Sequence, residues 1–505
     1  MKRNTLISAL TTYLIIITMM VSVPSFANNL DQILTKEAAT QDLNLYFQLI
    51  DEQHGNPYAY ISRVEFKALV DAQVKALPEH ISQQDFSILL SELNQKLRCG
   101  HTAVSMDTQT LKTATERSEF FPYAISIIDN EIFVDFEEGN IPLGSKIISI
   151  NGITSAQMVT DLTALTITDG FIETKKLREI EQKFGYYYFL KYGPIGQFKV
   201  SYDFDGLVKE ALVEGVPGNQ MMANNYMRPV YKSHERYFHF THLDAVDSLQ
   251  TLVLTLNTFQ ANPEWFFDKI AAQYDKASKR FRFNSLVLDL RNNEGGDRRL
   301  LNILYKIIAG TDLVDPSNTY TRSLTITHEK QLLGINGAAN NAEVINNAEN
   351  YLEKYFVSNQ DGKFVSPEHN WHADFDLGFE LDDIRFEGKV YVLTSGKTFS
   401  AAADFARILS QMDNVILVGE ETGGAHEART ANMLLNYGLP NSGLVIQVPV
   451  IFESFINHDK DNGFGRGTFP DFFVKKTYTD LINKKDAVFE FTLDLIAQSN
   501  SLGSN

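Results

Sequence analysis

The segment from Val390 to Leu409 constrains this chain more than any other. A β-branched run, Val390-Tyr-Val-Leu-Thr394, passes through the small-residue turn Ser395-Gly-Lys-Thr-Phe399 into the amphipathic run Ser400-Ala-Ala-Ala-Asp-Phe-Ala-Arg-Ile-Leu409. A strand apolar at successive positions must be covered on both faces, and a helix that follows it directly packs back on the sheet, so an α/β core is expected. The turn sets Ser400 at a helix start. First-turn N–H groups lack acceptors within the helix and sit at the positive end of its dipole, so a hydroxyl there can attack a carbonyl while the oxyanion is stabilised beside it. A plain N-cap serine fits the same pattern, and this segment alone does not separate the two.

Further apolar strands, Leu252–Leu256, Ser285–Leu290 and Asn414–Val418, alternate with helical stretches, which assigns residues 219–497 to the α/β core. The 505 residues exceed one ordinary core, so a multidomain α/β chain is expected. A formal net charge of −18 and the lack of a basic stripe exclude nucleic acid as a partner.

The N-terminus reads as a signal peptide over residues 1–27. Lys2-Arg3 precedes an apolar stretch from Tyr13 to Val23 and the tripeptide Ser25-Phe-Ala27, which predicts cleavage after Ala27 and a periplasmic or secreted protein with no stable membrane insertion afterwards, an uncleaved membrane anchor being the alternative. Cys99 is the sole cysteine, so no intramolecular disulfide can form. Residues 28–115 read as a helical N-terminal cap: Phe86, Leu89, Leu90, Leu93 and Leu97 recur at helical spacing, with Asp85 as N-cap and Gly100 as stop. His101 then emerges just past a helix end. Residues 116–218 carry short strands, among them Ala124–Ile128, Ile132–Phe136 and Lys146–Ile150, and a hairpin at Asp205-Gly206. The Asn- and Ala-rich stretch Asn336–Asn350 reads as a surface insertion.

Three features can converge on Ser400. The strand ending at Leu290 runs into Asn292-Asn-Glu-Gly295-Gly296-Asp, where paired glycines let backbone N–H groups approach a ligand. The next strand ends in Val418-Gly-Glu-Glu-Thr-Gly423-Gly424-Ala-His426, at the sheet edge where ligands of open α/β sheets gather. Arg98-Cys-Gly-His101-Thr supplies a distant imidazole.

Taken together, Leu288-Asp-Leu-Arg-Asn-Asn-Glu-Gly-Gly296, Thr394-Ser-Gly-Lys-Thr-Phe-Ser-Ala401, Val418-Gly-Glu-Glu-Thr-Gly-Gly424 and Gly465-Arg-Gly-Thr-Phe-Pro-Asp471 resemble the tail-specific, or C-terminal processing, serine peptidases. Ile141-Pro-Leu-Gly144-Ser-Lys-Ile-Ile-Ser-Ile-Asn-Gly152 resembles an element of PDZ domains, in the order that family has. The resemblance covers roughly Arg98 to Ile496. It implies a crotonase-like α/β spiral core over 219–497, a PDZ-like peptide-binding domain over 116–218, polypeptide substrates, Ser400 as nucleophile and no cofactor or metal. Backbone N–H groups near Gly296 and Ala401 would form the oxyanion hole.

One departure matters. Members with a Ser-Lys dyad carry a lysine where this chain has Ala425, so the chain is similar instead to the histidine-base branch, like the tricorn core and the chlamydial secreted protease. Gly100-His101-Thr102 matches that branch and implies His101 as base, with His426 as the alternative and Glu420 or Glu421, Glu421 preferred, as the third group. An unperturbed imidazole predicts an activity limb near pH 6.5. The opposing expectation is a non-catalytic peptide- or lipophile-binding module on the same fold. Gly396-Lys-Thr398 fails as a phosphate loop because Tyr391 stands where its first glycine is required, and His369 with His372 read as structural.

Overall fold

Alternation along four central strands sorts their side chains into two cores. Leu252, Leu254, Leu286, Leu288, Val390, Val392 and Leu417 pack on one side with helices Pro263–Ser278, Arg299–Ala309 and Ala401–Leu409. Val253, Val287, Tyr391, Leu393 and Val418 pack on the other, against Phe489 and Ile496 of helix Ala487–Leu502. Side chains alternate across a strand, so a run apolar at every position is what a sheet covered twice requires.

The computed structural model describes residues 32–502 apart from 117–118, 280–281, 367–384 and 460–461. The expected signal peptide, His369 and His372 lie outside the described residues. No helix among the described residues is long and apolar enough to cross a membrane. The fold is α/β and multidomain, built on three large sheets.

In the central sheet the strand order is Thr241–Val246, Thr251–Leu256, Ser285–Asp289, Lys389–Thr394, Val415–Gly419, Phe472–Phe473; the first pair is antiparallel and the rest parallel. The second sheet centres on the long antiparallel pair Ala428–Gly438 and Val445–Phe455. Its core is shared with the N-terminal helices: Leu43, Tyr46, Phe66, Phe86 and Leu90 pack with Leu435, Tyr437, Ile446 and Val448. The third sheet runs from Ile125 to Glu214 and has its own core, with helices Ser155–Thr163 and Glu173–Tyr192 inserted between strands.

Local readings differ in detail. The stretch expected to be helical also holds strands Ile33–Thr35 and His80–Ser82, paired with each other, and strand Ala103–Ser105, paired with Val445–Gln447. Ser82, not Asp85, caps helix Gln83–Gln95, because its hydroxyl accepts the Asp85 N–H. Asp85 is the third helical residue, where a carboxylate faces the positive end of the dipole. The chain then turns at Arg98, which takes φ +51°, ahead of Gly100.

Candidate active site

Ser400 is held by a turn bolted to strands on both sides. The Ser395 hydroxyl donates to the Arg291 carbonyl (2.6 Å), the Thr398 hydroxyl to the Leu290 carbonyl (3.0 Å), and the Phe399 N–H to the Asn293 carbonyl (3.1 Å). From the other side the Gly423 N–H donates to the Thr398 carbonyl at 2.8 Å. These bonds hold Ser400 at φ +52°, ψ −128°, and its side chain makes no capping hydrogen bond to the helix it precedes. A non-glycine residue in that region is strained by about 1–3 kcal/mol, a cost that surrounding structure must offset. The hydroxyl points to His101 instead, with Nε2 3.0 Å from Ser400 Oγ.

The His101 loop is fixed at every residue. Gly100 N–H donates to Asp169 (2.7 Å), and Gln447 Nε2 donates to the His101 carbonyl (2.9 Å). Thr102 is held through its hydroxyl by His54 (2.9 Å) and through its carbonyl by Asn94 (2.6 Å). Strand Ala103–Ser105 pairs with Val445–Gln447, and the imidazole stacks on Phe399 at 4.7 Å between centroids. Nδ1 of His101 is buried without a partner. Burial, then the positive Arg429 and Lys175, push the imidazole down to about 3, while the field of Glu453 opposes them. The ring is therefore neutral at pH 7, the state in which Nε2 can accept the Ser400 proton. Burial pushes the Asp169 carboxyl up to about 6, against the opposing hydrogen bonds from Gly100 and Ala425.

The two glycines after Asn293 come alongside. Gly295 (φ +96°) lies so close that a Cβ on it would stand 2.7 Å from Ser400 Cβ and 2.9 Å from the Ala401 nitrogen. Ala401 is the first helical residue, so its N–H has no acceptor within the helix. Ser400, His101 and Gly296 line one cavity of about 800 Å³.

The other three candidates, Glu421, Glu420 and His426, are elsewhere. Glu421 is not brought to His101: Arg466 takes both its oxygens (2.8 and 2.7 Å) and the Gly467 N–H adds a third bond (2.9 Å). Glu420 pairs with Arg178 at 3.0 Å. His426 is also turned away, because its Nδ1 meets the Thr468 hydroxyl (2.9 Å) and its Nε2 accepts the Asp459 N–H (2.8 Å). That neutral imidazole, pushed down to about 4 mainly by burial, ties a turn together. The carboxylate whose field reaches His101 is Glu453, fully buried and held by Arg429 (2.7 Å) and Arg298 (3.1 Å). Nothing in its sequence position, inside a strand, distinguishes it from a surface acid.

Asn336–Asn350 is not a mere surface insertion. It contains strand Ala338–Ala339 and most of helix Ala342–Tyr355, and its residues form a wall of the Ser400 cavity. Phe455 does not reach the cavity but packs under the Arg407 guanidinium (3.9 Å), and Phe464 is exposed beside Tyr60.

Residues 250–474 match peptidase family S41, a stretch that includes Ser400, both glycine turns and Glu453 but not His101. Among solved structures, the chain is similar to mature CPAF (TM-score 0.59, 13% identity, 91% of this chain and 96% of that one). It is likewise similar to mature CPAF complexed with lactacystin (TM-score 0.61, 14% identity, 92% and 99%). Identity this low speaks to the fold alone, and it is the match of residues 250–474 to peptidase family S41 that supports a serine-type peptidase.

Proposed function

We propose that this chain is an exported peptidase in which Ser400 is the nucleophile and His101 the general base. The observation that carries the reading is the 3.0 Å contact between Ser400 Oγ and His101 Nε2, made by a serine whose strained backbone keeps it from capping its own helix. Ser400 Oγ attacks the carbonyl carbon of a polypeptide as its proton passes to Nε2. The N–H groups of Gly296 and Ala401 receive the oxyanion, and collapse expels the amine, which takes the proton back from Nε2. Water then repeats the sequence on the acyl-enzyme. Phe399 and the bonds to Gly100, His101 and Thr102 hold the ring in plane, and the Glu453 field favours it when it becomes charged.

In this reading the third sheet is the PDZ-like module. Its edge strand Leu207–Glu214 keeps Leu207, Val208 and Leu212 exposed, an edge to which an extended polypeptide can add as a further strand. Export rests on the sequence of residues 1–27.

The test is labelling of the purified protein with a fluorophosphonate and mapping of the adduct by mass spectrometry. Ser400 is expected to carry it, with Ser400→Ala unlabelled and inactive on a casein substrate. A folded protein that neither labels nor cleaves would indicate the non-catalytic binding module instead.

A further inference from the structure

Part of the lining of the Ser400 cavity is apolar and lies at the edge of a hydrophobic core. Helix Ala342–Tyr355 has two apolar stripes. Ile345 and Leu352 are buried in the core with Leu435 and Tyr437, as a helix of this length needs. Val344, Ala348 and Tyr351 recur at i, i+4 and i+7 and line the cavity that holds Ser400 and His101. Ala348 also belongs to the core, against which Val344 and Tyr351 pack, and Asn347 lines the same cavity.

The facing strands add to it. Ile335 closes the cavity at the end of strand Leu332–Ile335, where Asn336 turns at φ +49°. On the other side the pairing of Ala428–Gly438 with Val445–Phe455 shifts register between Ala431 and Leu434. Asn432 (φ +56°) and Met433 (φ +44°) sit in that irregularity, and both line the cavity. Bulges beside active sites re-aim side chains, and a methionine is suited to accommodating apolar groups of varied shape.

We propose that Ile335, Val344, Ala348, Tyr351 and Met433 form a specificity subsite that takes a large apolar side chain, aliphatic or aromatic, of the polypeptide next to the scissile bond. This rests on the reading of Ser400 as nucleophile. These five residues carry no charge, so a charged side chain entering here would lose its hydration without a partner. The cavity, at about 800 Å³, is several times the volume of one side chain, so the subsite is one part of a longer groove.

The experiment profiles cleavage sites by mass spectrometry in a proteome-derived peptide mixture, for the wild type and Val344→Asp. Val344 is only partly buried, so a carboxylate can be introduced without opening the core. Asn347→Asp, at an exposed position on the same wall, carries the same test should Val344→Asp fail to fold. The wild type is expected to favour Leu, Met, Phe or Tyr at one position beside the cut by about tenfold over charged residues. The aspartate variant is expected to lose most of that preference and gain Lys and Arg there. Fluorophosphonate labelling of Ser400 is read in parallel. Labelled, active proteins whose profiles coincide, or a wild type with no apolar preference on either side of the cut, overturn the subsite alone. A wild type that neither labels nor cleaves removes the reading of Ser400 and the subsite with it.

Discussion

Gly295 faces Ser400 so closely that a single added methyl group would come within 2.7 Å of the serine Cβ. The same glycine has φ +96°, which side chains rarely adopt. Gly295→Ala is therefore expected to displace the turn carrying Gly296 and reduce kcat/KM by at least about a hundredfold, since a displacement of about 1 Å suffices for such a loss. Far-UV circular dichroism should stay close to wild type. Turnover within a few-fold of wild type would show that the contact has no catalytic consequence.

The strain at Ser400 separates two inactive variants. Both Ser400→Ala and Ser400→Gly remove the hydroxyl, but only glycine relieves the backbone at φ +52°. Ser400→Gly is expected to be the more stable by about 1 kcal/mol, net of the extra freedom glycine gains when unfolded. Urea midpoints at pH 7 measure the difference.

Two histidines should divide function from stability. His101→Ala is expected to lower kcat by at least about a hundredfold, because Nε2 is the only imidazole nitrogen among the described residues in contact with Ser400. His426→Ala deletes the bonds to Thr468 and Asp459 and should instead lower stability by about 1–3 kcal/mol, with kcat per folded molecule largely kept. Steady-state kinetics paired with thermal melts resolves the two effects; a larger kcat loss for His426→Ala reverses the assignment.

Burial moves the expected pH limb. An unperturbed imidazole would lose activity below about pH 6.5. With His101 pushed down to about 3, its neutral form persists through mild acid, so kcat/KM for an uncharged substrate is expected to be flat from pH 8 to pH 5. The stability consequence has the opposite appearance. His54 and His101 lie near 3 and His426 near 4 when folded, so below about pH 6.5 the unfolded chain binds protons that the folded chain does not. Each of the three then withdraws stability as the pH falls, until its folded value is reached. Asp169, raised to about 6, acts in the other direction between pH 6 and 4 and offsets one of them. Urea midpoints between pH 7 and 5 should fall, and His426→Gln should flatten the fall.

The central sheet was legible because burial on both faces leaves a mark at every residue: Ser285–Leu290 and Val390–Thr394 were expected within one residue of where they form. Ser400 at a helix start and His101 past a helix end were legible from local punctuation. What stayed hidden depends on partners distant in sequence. Glu420 and Glu421 are neighbours in one turn, and only Arg178 and Arg466, from other elements, take them out of play. Composition marked Asn336–Asn350 as surface, but Val344, Ala348 and Tyr351 gain meaning only once the cleft exists on one side of their helix. The long pair Ala428–Gly438 and Val445–Phe455 escaped notice because its irregular turn at Asn432-Met433 breaks the alternation a strand is recognised by.

The imidazole and the hydroxyl that meet at Ser400 are 299 residues apart, and the strand that delivers His101 has no partner until Val445–Gln447 exists. A chain made from its N-terminus thus carries the proposed base from early on, before the hydroxyl it would activate. Even once Ser400 has been added, the ring lacks the Gln447 bond and the strand that hold it in place. In the proposed mechanism, hydrolytic competence therefore waits for near-complete synthesis and for closure of long-range contacts such as that of Gln447 with His101, which form slowly.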